Sequence, residues 1–257
     1  DGQTNNAPFV TRTEAHERVV EQTLPCRLDR QAMNRPRANP KGERTWLIPF
    51  MGHASDIAAA GARGFGIDSQ VLPTGTPRGY ELARRHLSTE VCQPLKGVLG
   101  DALGYLLEEV DRRGKGSVCG RYAIMLPTTS GPCRFGKYAE VVRRCLDEED
   151  LADVPVSGPS DKTDYLDIPF PDHVGPLDRL RFQQVLFKGI CSADLLEDAF
   201  LRFRPYAQDK QEITRLKQDR LLELVNIAEQ GAPMPALLAW GHRTVACFKA
   251  CATRTTD

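Results

Sequence analysis

The sequence predicts an α/β protein with a Rossmann/flavodoxin-like open parallel sheet and a helical C-terminal extension. Short apolar stretches alternate with helical patterns between residues 45 and 156, a spacing typical of βαβ units with right-handed crossovers. From Leu177 onward the pattern is helical, with breaks near Arg204–Tyr206 and Gly231–Pro233. The length of 257 residues is enough for one α/β core with appendages.

The first predicted βαβ unit lies between residues 45 and 73. Thr45–Phe50 is a short apolar stretch typical of a buried strand, and the alanine-rich segment 56–64 has a helical pattern. Two glycines would end that helix before a second strand at Ser69–Pro73.

The rest of the sheet is expected to follow the same alternation. The predicted elements are, in order, helices at Pro77–His86 and Pro94–Arg113, a turn at Gly114–Gly116, a strand at Tyr122–Pro127, a helix at Phe135–Glu149 and a strand at Val154–Val156. Gly97, Gly100 and Gly104 lie on nearly one face of the longer helix. We therefore expect that helix to approach a neighbour closely.

The pattern divides the chain into three regions. Residues 1–43 are predicted to hold a helix and a linker that end a missing upstream domain. Residues 44–160 form the α/β domain, which carries the candidate cysteines. Residues 161–257 form a loop followed by the helical extension.

Composition excludes two kinds of partner. The 34 basic and 34 acidic residues balance, so we expect no nucleic acid, which a basic excess would attract. The sequence has no run of about 18 apolar residues, so no membrane-spanning helix is expected. The eight cysteines are irregularly spaced, which favours free or metal-bound thiols in a reducing, cytoplasmic location over disulfides.

Two cysteines in short proline-containing motifs are the best candidate site. They are Cys92 in the segment 88–94 (STEVCQP) and Cys133 in the segment 130–138 (SGPCRFGKY). Each precedes a predicted helix, and a helix N-terminus favours the thiolate that binds metal. Both loops are expected at the rim where ligands bind in open parallel sheets, with Arg134 adding positive charge.

Other interpretations of the cysteines stay open. Cys92 and Cys133 would also suit a core as small apolar residues, and two thiols are too few for zinc or an iron–sulfur cubane. Cys191, predicted to open a helix, is the best internal candidate for a third ligand. Cys247 and Cys251 lie four apart and would form a zinc half-site with His242, but a fourth ligand is not apparent. Cys26 is interpreted as incidental and Cys145 as a core residue.

Several polar or rigid residues are candidates for the surroundings of the thiols. Glu90 would either hydrogen-bond the site or transfer protons there, or its side chain would lie in solvent. His53 would be either a polar residue of the site or a helix cap. Pro94 and Pro132 shape the two turns. The glycine-rich fingerprints of dinucleotide and P-loop sites are both missing from the sequence, so no nucleotide site is expected.

These segments together resemble a known family. The matching segments, in order, are Thr45–His53, Val71–Pro73, Glu90–Pro94, Ser130–Tyr138, Asp153–Val156, Gly189–Ile190, Asp194–Glu197 and Arg204–Tyr206. They look like the C-terminal region of the large activators of 2-hydroxyacyl-CoA dehydratases. This region is related to the dehydratase subunits and to double-cubane cluster proteins. The likeness spans about residues 1–210.

The resemblance implies an anaerobic, cytoplasmic iron–sulfur protein. Cys92 and Cys133 match cysteines that bind a 4Fe-4S cluster, Tyr138 belongs to the same motif, and a further ligand would come from an upstream cysteine. The implied partners are upstream ATPase or dehydratase-like domains of the same protein, or a partner subunit. The ATPase motifs are not in this sequence, so ATP hydrolysis is not assigned to it.

The sequence departs from the family pattern at three places. Cys191 stands where an aliphatic residue is expected, so no ligand role is carried onto it, and Lys137 replaces a more usual glutamine. The last thirty or so residues show no likeness.

Three functions are therefore weighed. The first is an iron–sulfur redox module that serves low-potential electron transfer. The second is a non-redox scaffold or partner-docking domain with residual cysteines. The third, direct dehydration of an acyl-CoA, ranks last because no acid or base residue stands out.

Overall fold

The computed structural model describes residues 44–163, 165 and 167–253. The predicted N-terminal helix and linker over 1–43, together with Cys26, lie outside the described residues.

Four parallel strands form one open sheet, as predicted. They are β1 (Thr45–Ile48), β2 (Ser69–Val71), β3 (Tyr122–Met125) and β4 (Val156–Ser157), and their order across the sheet is β2-β1-β3-β4. The last strand begins two residues later than predicted. Pro155 has no N–H to donate and only its carbonyl pairs, accepting from the Ile124 N–H at 2.8 Å.

Eight α-helices accompany the strands in the described part of the chain. They are α1 (His53–Gly64), α2 (Pro77–His86), α3 (Gln93–Arg113), α4 (Lys115–Arg121), α5 (Tyr138–Glu148), α6 (Pro176–Phe203), α7 (Lys210–Glu229) and α8 (Met234–Thr253). The predicted turn at 114–116 is wrong in part, because only Gly114 turns (φ 80°) and α4 starts directly after it. The helix expected from Phe135 begins as a 3₁₀ turn over Arg134–Lys137 and becomes α-helical at Tyr138.

Cys191 lies in the middle of α6, so the prediction that it opens a helix is wrong. Gly189 does not interrupt this helix. A Cβ atom at Gly189 would come within 2.5 Å of the Ile57 side chain, so the glycine allows α6 to pack closely on α1.

Helices cover both faces of the sheet. Because side chains alternate along each strand, Leu47 and Ile124 join one buried cluster with α2, α3 and α5. Trp46 and Met125 face the opposite cluster, which includes α1 and Phe182 of α6. A third cluster joins α1 to the helical extension and contains Ile57, Ala60, Leu221, Trp240 and Phe248.

The predicted close approach of the long helix occurs between α2 and α3. A Cβ atom at Gly100 would overlap the carbonyl oxygen of Gly79, and one at Gly104 would lie 3.7 Å from the Gly79 Cα atom. Gly97 does not take part, because a Cβ atom there meets nothing within 4 Å. Of the three glycines, only Gly100 is required by the crossing, because a Cβ atom at Gly104 would make an ordinary van der Waals contact.

Across the described residues, the structure contains no helix of the length and apolar character needed to cross a membrane.

Candidate functional site

The two motif cysteines lie at loop-to-helix junctions. Cys133 ends the loop after β3 and is the residue before the 3₁₀ turn; its side chain is exposed. Cys92 is the N-cap residue of α3 and is half-buried, and Pro94 occupies the first turn of that helix, as predicted. Free backbone N–H groups at such junctions favour negative charge on a nearby sulfur.

Tyr138 brings the two motifs together. Its buried hydroxyl lies 3.0 Å from the Cys92 sulfur, and its ring packs edge-on against Phe135 at 5.2 Å. Burial raises the pKa of Tyr138, as do the hydrogen bond to Cys92 and negative charge on Cys92 and Cys133. The hydroxyl therefore stays protonated, and it would donate the hydrogen bond to a Cys92 thiolate. The Cys92 sulfur contacts this hydroxyl directly, and charge on Cys133 adds a smaller effect through space.

Arg134 joins the loops that carry the two cysteines. Its Nη1 atom reaches the carbonyl oxygen of Glu90 at 3.5 Å. The guanidinium therefore adds positive charge beside both motifs. The Glu90 and Pro132 side chains are exposed. Glu90 is held here through its backbone, and the proton-transfer role for its side chain stays a prediction.

Asp161 holds the loop that leads to Cys133, a role that the sequence does not predict. Its carboxylate accepts from the Ser130 N–H at 3.0 Å, from the Ser130 hydroxyl at 2.8 Å and from the Thr129 hydroxyl at 3.1 Å. These bonds, the one from the Ser130 backbone first, lower the pKa of Asp161. The Thr-Thr-Ser run at 128–130 signals a turn, but nothing local in the sequence identifies its partner 31 residues later.

His53 makes its hydrogen bonds away from the cysteine motifs. Its Nδ1 atom lies 3.1 Å from Asp56 on α1, and its Nε2 atom lies 2.9 Å from Glu197 on α6. Lys217 on α7 then contacts Glu197 at 2.6 Å. His53 therefore sits in a chain of charges that ties the start of α1 to the helical extension.

These charges shift two pKa values in opposite directions. Burial lowers the pKa of His53, but hydrogen bonds to Asp56 and Glu197 outweigh it and raise the pKa above its ordinary 6.5. The hydrogen bond from His53, aided by Lys217, lowers the pKa of Glu197 from 4.5 to about 2. Folding thus favours the protonated histidine and the ionised glutamate.

We expect this pair to make stability depend on pH. The His53 contribution is fully present below pH 6.5 and is lost as the pH rises through the higher folded-state pKa. The Glu197 contribution is present above pH 4.5 and is lost as the pH falls toward about 2. The free energy of unfolding, measured by denaturant titration from pH 5 to 9, should fall with rising pH, and His53→Gln should flatten the decline.

The exposed His242 on α8 provides the matched control. His242→Gln should keep the wild-type dependence. An unchanged pH profile in His53→Gln would contradict the assignment of the decline to His53.

The remaining cysteines do not complete the motif pair in the described part of the chain. Cys191 is exposed on α6, and Cys247 and Cys251 are half-buried on α8. Over residues 44–163, 165 and 167–253, the one group of three possible metal ligands within 4.8 Å of one another is His86, Cys145 and Glu148. The sequence predicts Cys145 as a core residue, and its side chain is fully buried.

Comparisons with protein-family models, with curated proteins and with solved structures find no match to this chain.

Proposed function

We propose that this chain is an iron–sulfur redox module that serves low-potential electron transfer, with Cys92 and Cys133 as thiolate ligands. One observation carries the proposal: the buried Tyr138 hydroxyl contacts the Cys92 sulfur at 3.0 Å and is also influenced by charge on Cys133. Two thiols from separate loops would therefore bind one cluster near the Tyr138 hydroxyl. Such a position, at helix starts and beside an arginine, suits an anionic cluster.

The side chains fit part of what a 4Fe-4S cluster needs. Thiolates are its usual protein ligands, and this site supplies two of them. Within the described residues, no third histidine, cysteine or carboxylate side chain lies with these two thiols so that all three ligand atoms are within 4.8 Å of one another. A further ligand would come from an upstream cysteine of a longer chain or from a partner. The cluster would supply one-electron transfer.

Three groups of this chain would tune that chemistry. Tyr138 donates a hydrogen bond to the Cys92 sulfur, which lowers the electron density on the ligand. Arg134 and the first N–H groups of α3 place positive charge and dipoles nearby. All three would favour the added electron and so would set the reduction potential relative to that of the same cluster without them.

Fold and resemblance favour the same role. The strand order β2-β1-β3-β4 agrees with the flavodoxin-like arrangement, in which ligands bind beyond the carboxyl ends of the strands. The motif likeness to dehydratase activators suggests a cytoplasmic, anaerobic setting and an ATPase or dehydratase-like domain as the electron partner.

A partner-docking domain with residual cysteines is the alternative. It is favoured by an exposed apolar groove between α6 and α8. The groove includes Phe187, Leu195, Met234, Leu238 and Val245, whose side chains are all exposed. Exposed apolar patches of this kind often bind other proteins.

Anaerobic reconstitution with iron and sulfide tests the redox proposal. We expect the wild-type chain to gain broad visible absorption and bound iron. Cys92→Ser and Cys133→Ser should each lose most of both, because each removes a ligand. The protein used should include any upstream sequence of the natural chain, so that a missing ligand is supplied.

Cys191→Ser is the control, because Cys191 is an exposed thiol on a different helix. It should bind iron as the wild type does. Two results would favour the docking alternative. One is a wild-type protein that stays colourless and iron-free. The other is iron binding by Cys92→Ser and Cys133→Ser that equals that of the wild type.

A further inference from the structure

A second group of metal-ligand side chains lies where α2 and α5 end. His86 is the last residue of α2, Cys145 and Glu148 lie in the final turns of α5, and Glu149 follows α5 directly. One ligand atom from each of His86, Cys145 and Glu148 lies within 4.8 Å of the others. The group is distinct from the Cys92–Tyr138 pair, since α5 separates Tyr138 from Glu148 by about 15 Å along its axis.

The donor atoms are a nitrogen, a sulfur and a carboxylate oxygen. This combination is typical of Zn²⁺, which binds thiolate, imidazole and carboxylate with four ligands in a tetrahedron. Three protein ligands leave one position for water. Harder ions such as Mg²⁺ and Ca²⁺ prefer oxygen ligands alone and would not select this set.

The surroundings of His86 are the second observation that points to a cation. Its Nδ1 atom lies 2.7 Å from Glu148 and its Nε2 atom lies 2.8 Å from Glu149. One carboxylate oxygen therefore lies at each ring nitrogen. A metal bound by Nδ1 and by the Glu148 oxygen would take the place of the proton that these two atoms otherwise share.

The carboxylate of Glu149 would orient His86 as a metal ligand. Histidine ligands commonly donate their second N–H to a carboxylate, which fixes the ring and strengthens the metal bond. Glu149 already occupies that place. Arg144 contacts the Oε1 atom of Glu148 at 3.4 Å, whereas the Oε2 atom faces His86 and stays available as a ligand.

We propose that His86 Nδ1, Cys145 Sγ and Glu148 Oε2 form a zinc site, with Glu149 orienting the imidazole. The site joins the end of α2 to the end of α5. On binding, the Cys145 S–H bond breaks, its electron pair forms the S–Zn bond and the proton leaves to solvent. The metal would take the place of the thiol proton of Cys145, whose side chain is fully buried beside Glu148.

Cobalt titration of the metal-free full chain carrying Cys92→Ser and Cys133→Ser tests the proposal. These substitutions remove the thiols of the proposed cluster site, so the result does not depend on that site. We expect one equivalent of Co²⁺ to bind, with a thiolate-to-cobalt charge-transfer band in the near ultraviolet. Zn²⁺ should displace it.

Further substitutions in that chain identify the ligands. Cys145→Ser should abolish the band, and Glu149→Gln should weaken affinity by about 10–100-fold with the band retained. Glu148→Gln, whose side chain is about half exposed and can change without disturbing the core, should also weaken binding. Cys191→Ser should change nothing.

Two results would overturn the zinc site. One is the absence of a thiolate–cobalt band in the folded parent chain. The other is an affinity that stays the same in both Glu148→Gln and Glu149→Gln, whether or not Cys145→Ser folds.

Discussion

Replacing Gly136 with alanine should lower the free energy of unfolding by about 1–3 kcal/mol and reduce iron binding at Cys92 and Cys133. A Cβ atom at Gly136 would overlap the carbonyl oxygen of Thr129 in the loop before Cys133. Neither backbone segment can move easily. The Gly136 N–H bonds the Cys133 carbonyl at 3.3 Å, and Asp161 holds the Thr129 side chain. The added methyl group would therefore displace the Cys133 turn.

Gly131→Ala is the matched control in the same loop. A Cβ atom at Gly131 would meet only the Thr129 hydroxyl oxygen, at an ordinary 3.6 Å. Urea unfolding and iron content after anaerobic reconstitution should leave Gly131→Ala close to wild type. Wild-type stability in Gly136→Ala would show that the loop yields, and the proposed positioning of Cys133 by this glycine would be wrong.

Local pattern predicted most of the sheet and its helices. The strands at β1 and β3 are short apolar runs, and α2 has the predicted bounds because Thr76 caps it and Pro77 begins it. The pattern failed at α4, because Lys115–Arg121 holds two glycines and few apolar residues. There the chain is helical because Val118 and Cys119 are buried, which only the tertiary structure determines.

The candidate site was predictable in its residue types but not in its contacts. The proline-containing motifs marked Cys92 and Cys133, and Tyr138 entered only as part of a motif. Its hydrogen bond to Cys92 spans 46 residues of sequence, and no periodicity reports such a pairing.

The same limit applies to the charged groups. His53 reaches Glu197 on α6, and His86 reaches Glu148 on α5. Each pair joins elements that come together only when helices pack, so sequence spacing carries no signal for either. The Cys145-x-x-Glu148 spacing on one helix face is the single local trace of the proposed zinc site.

Gly100→Ala should be the most destabilising of the glycine substitutions on α3, lowering the free energy of unfolding by about 1–3 kcal/mol or more. The new Cβ atom would overlap the backbone carbonyl of Gly79, and the corresponding atom at Gly79 would lie 2.8 Å from the carbonyl oxygen of Gly100. The two helices must then separate. Separation opens the core around Leu99 and Leu103, both fully buried beside the crossing.

Gly97→Ala should have the opposite effect, although it lies one turn earlier on the same helix. A Cβ atom there meets nothing within 4 Å, so alanine gains its helical preference of about 0.5–1 kcal/mol without a clash. Denaturant unfolding would give the change in the free energy of unfolding for each variant. A loss in Gly100→Ala reports packing at the crossing, and a gain in Gly97→Ala reports helix propensity. If both substitutions stabilised the chain, α2 and α3 would not be in contact at Gly79 and Gly100.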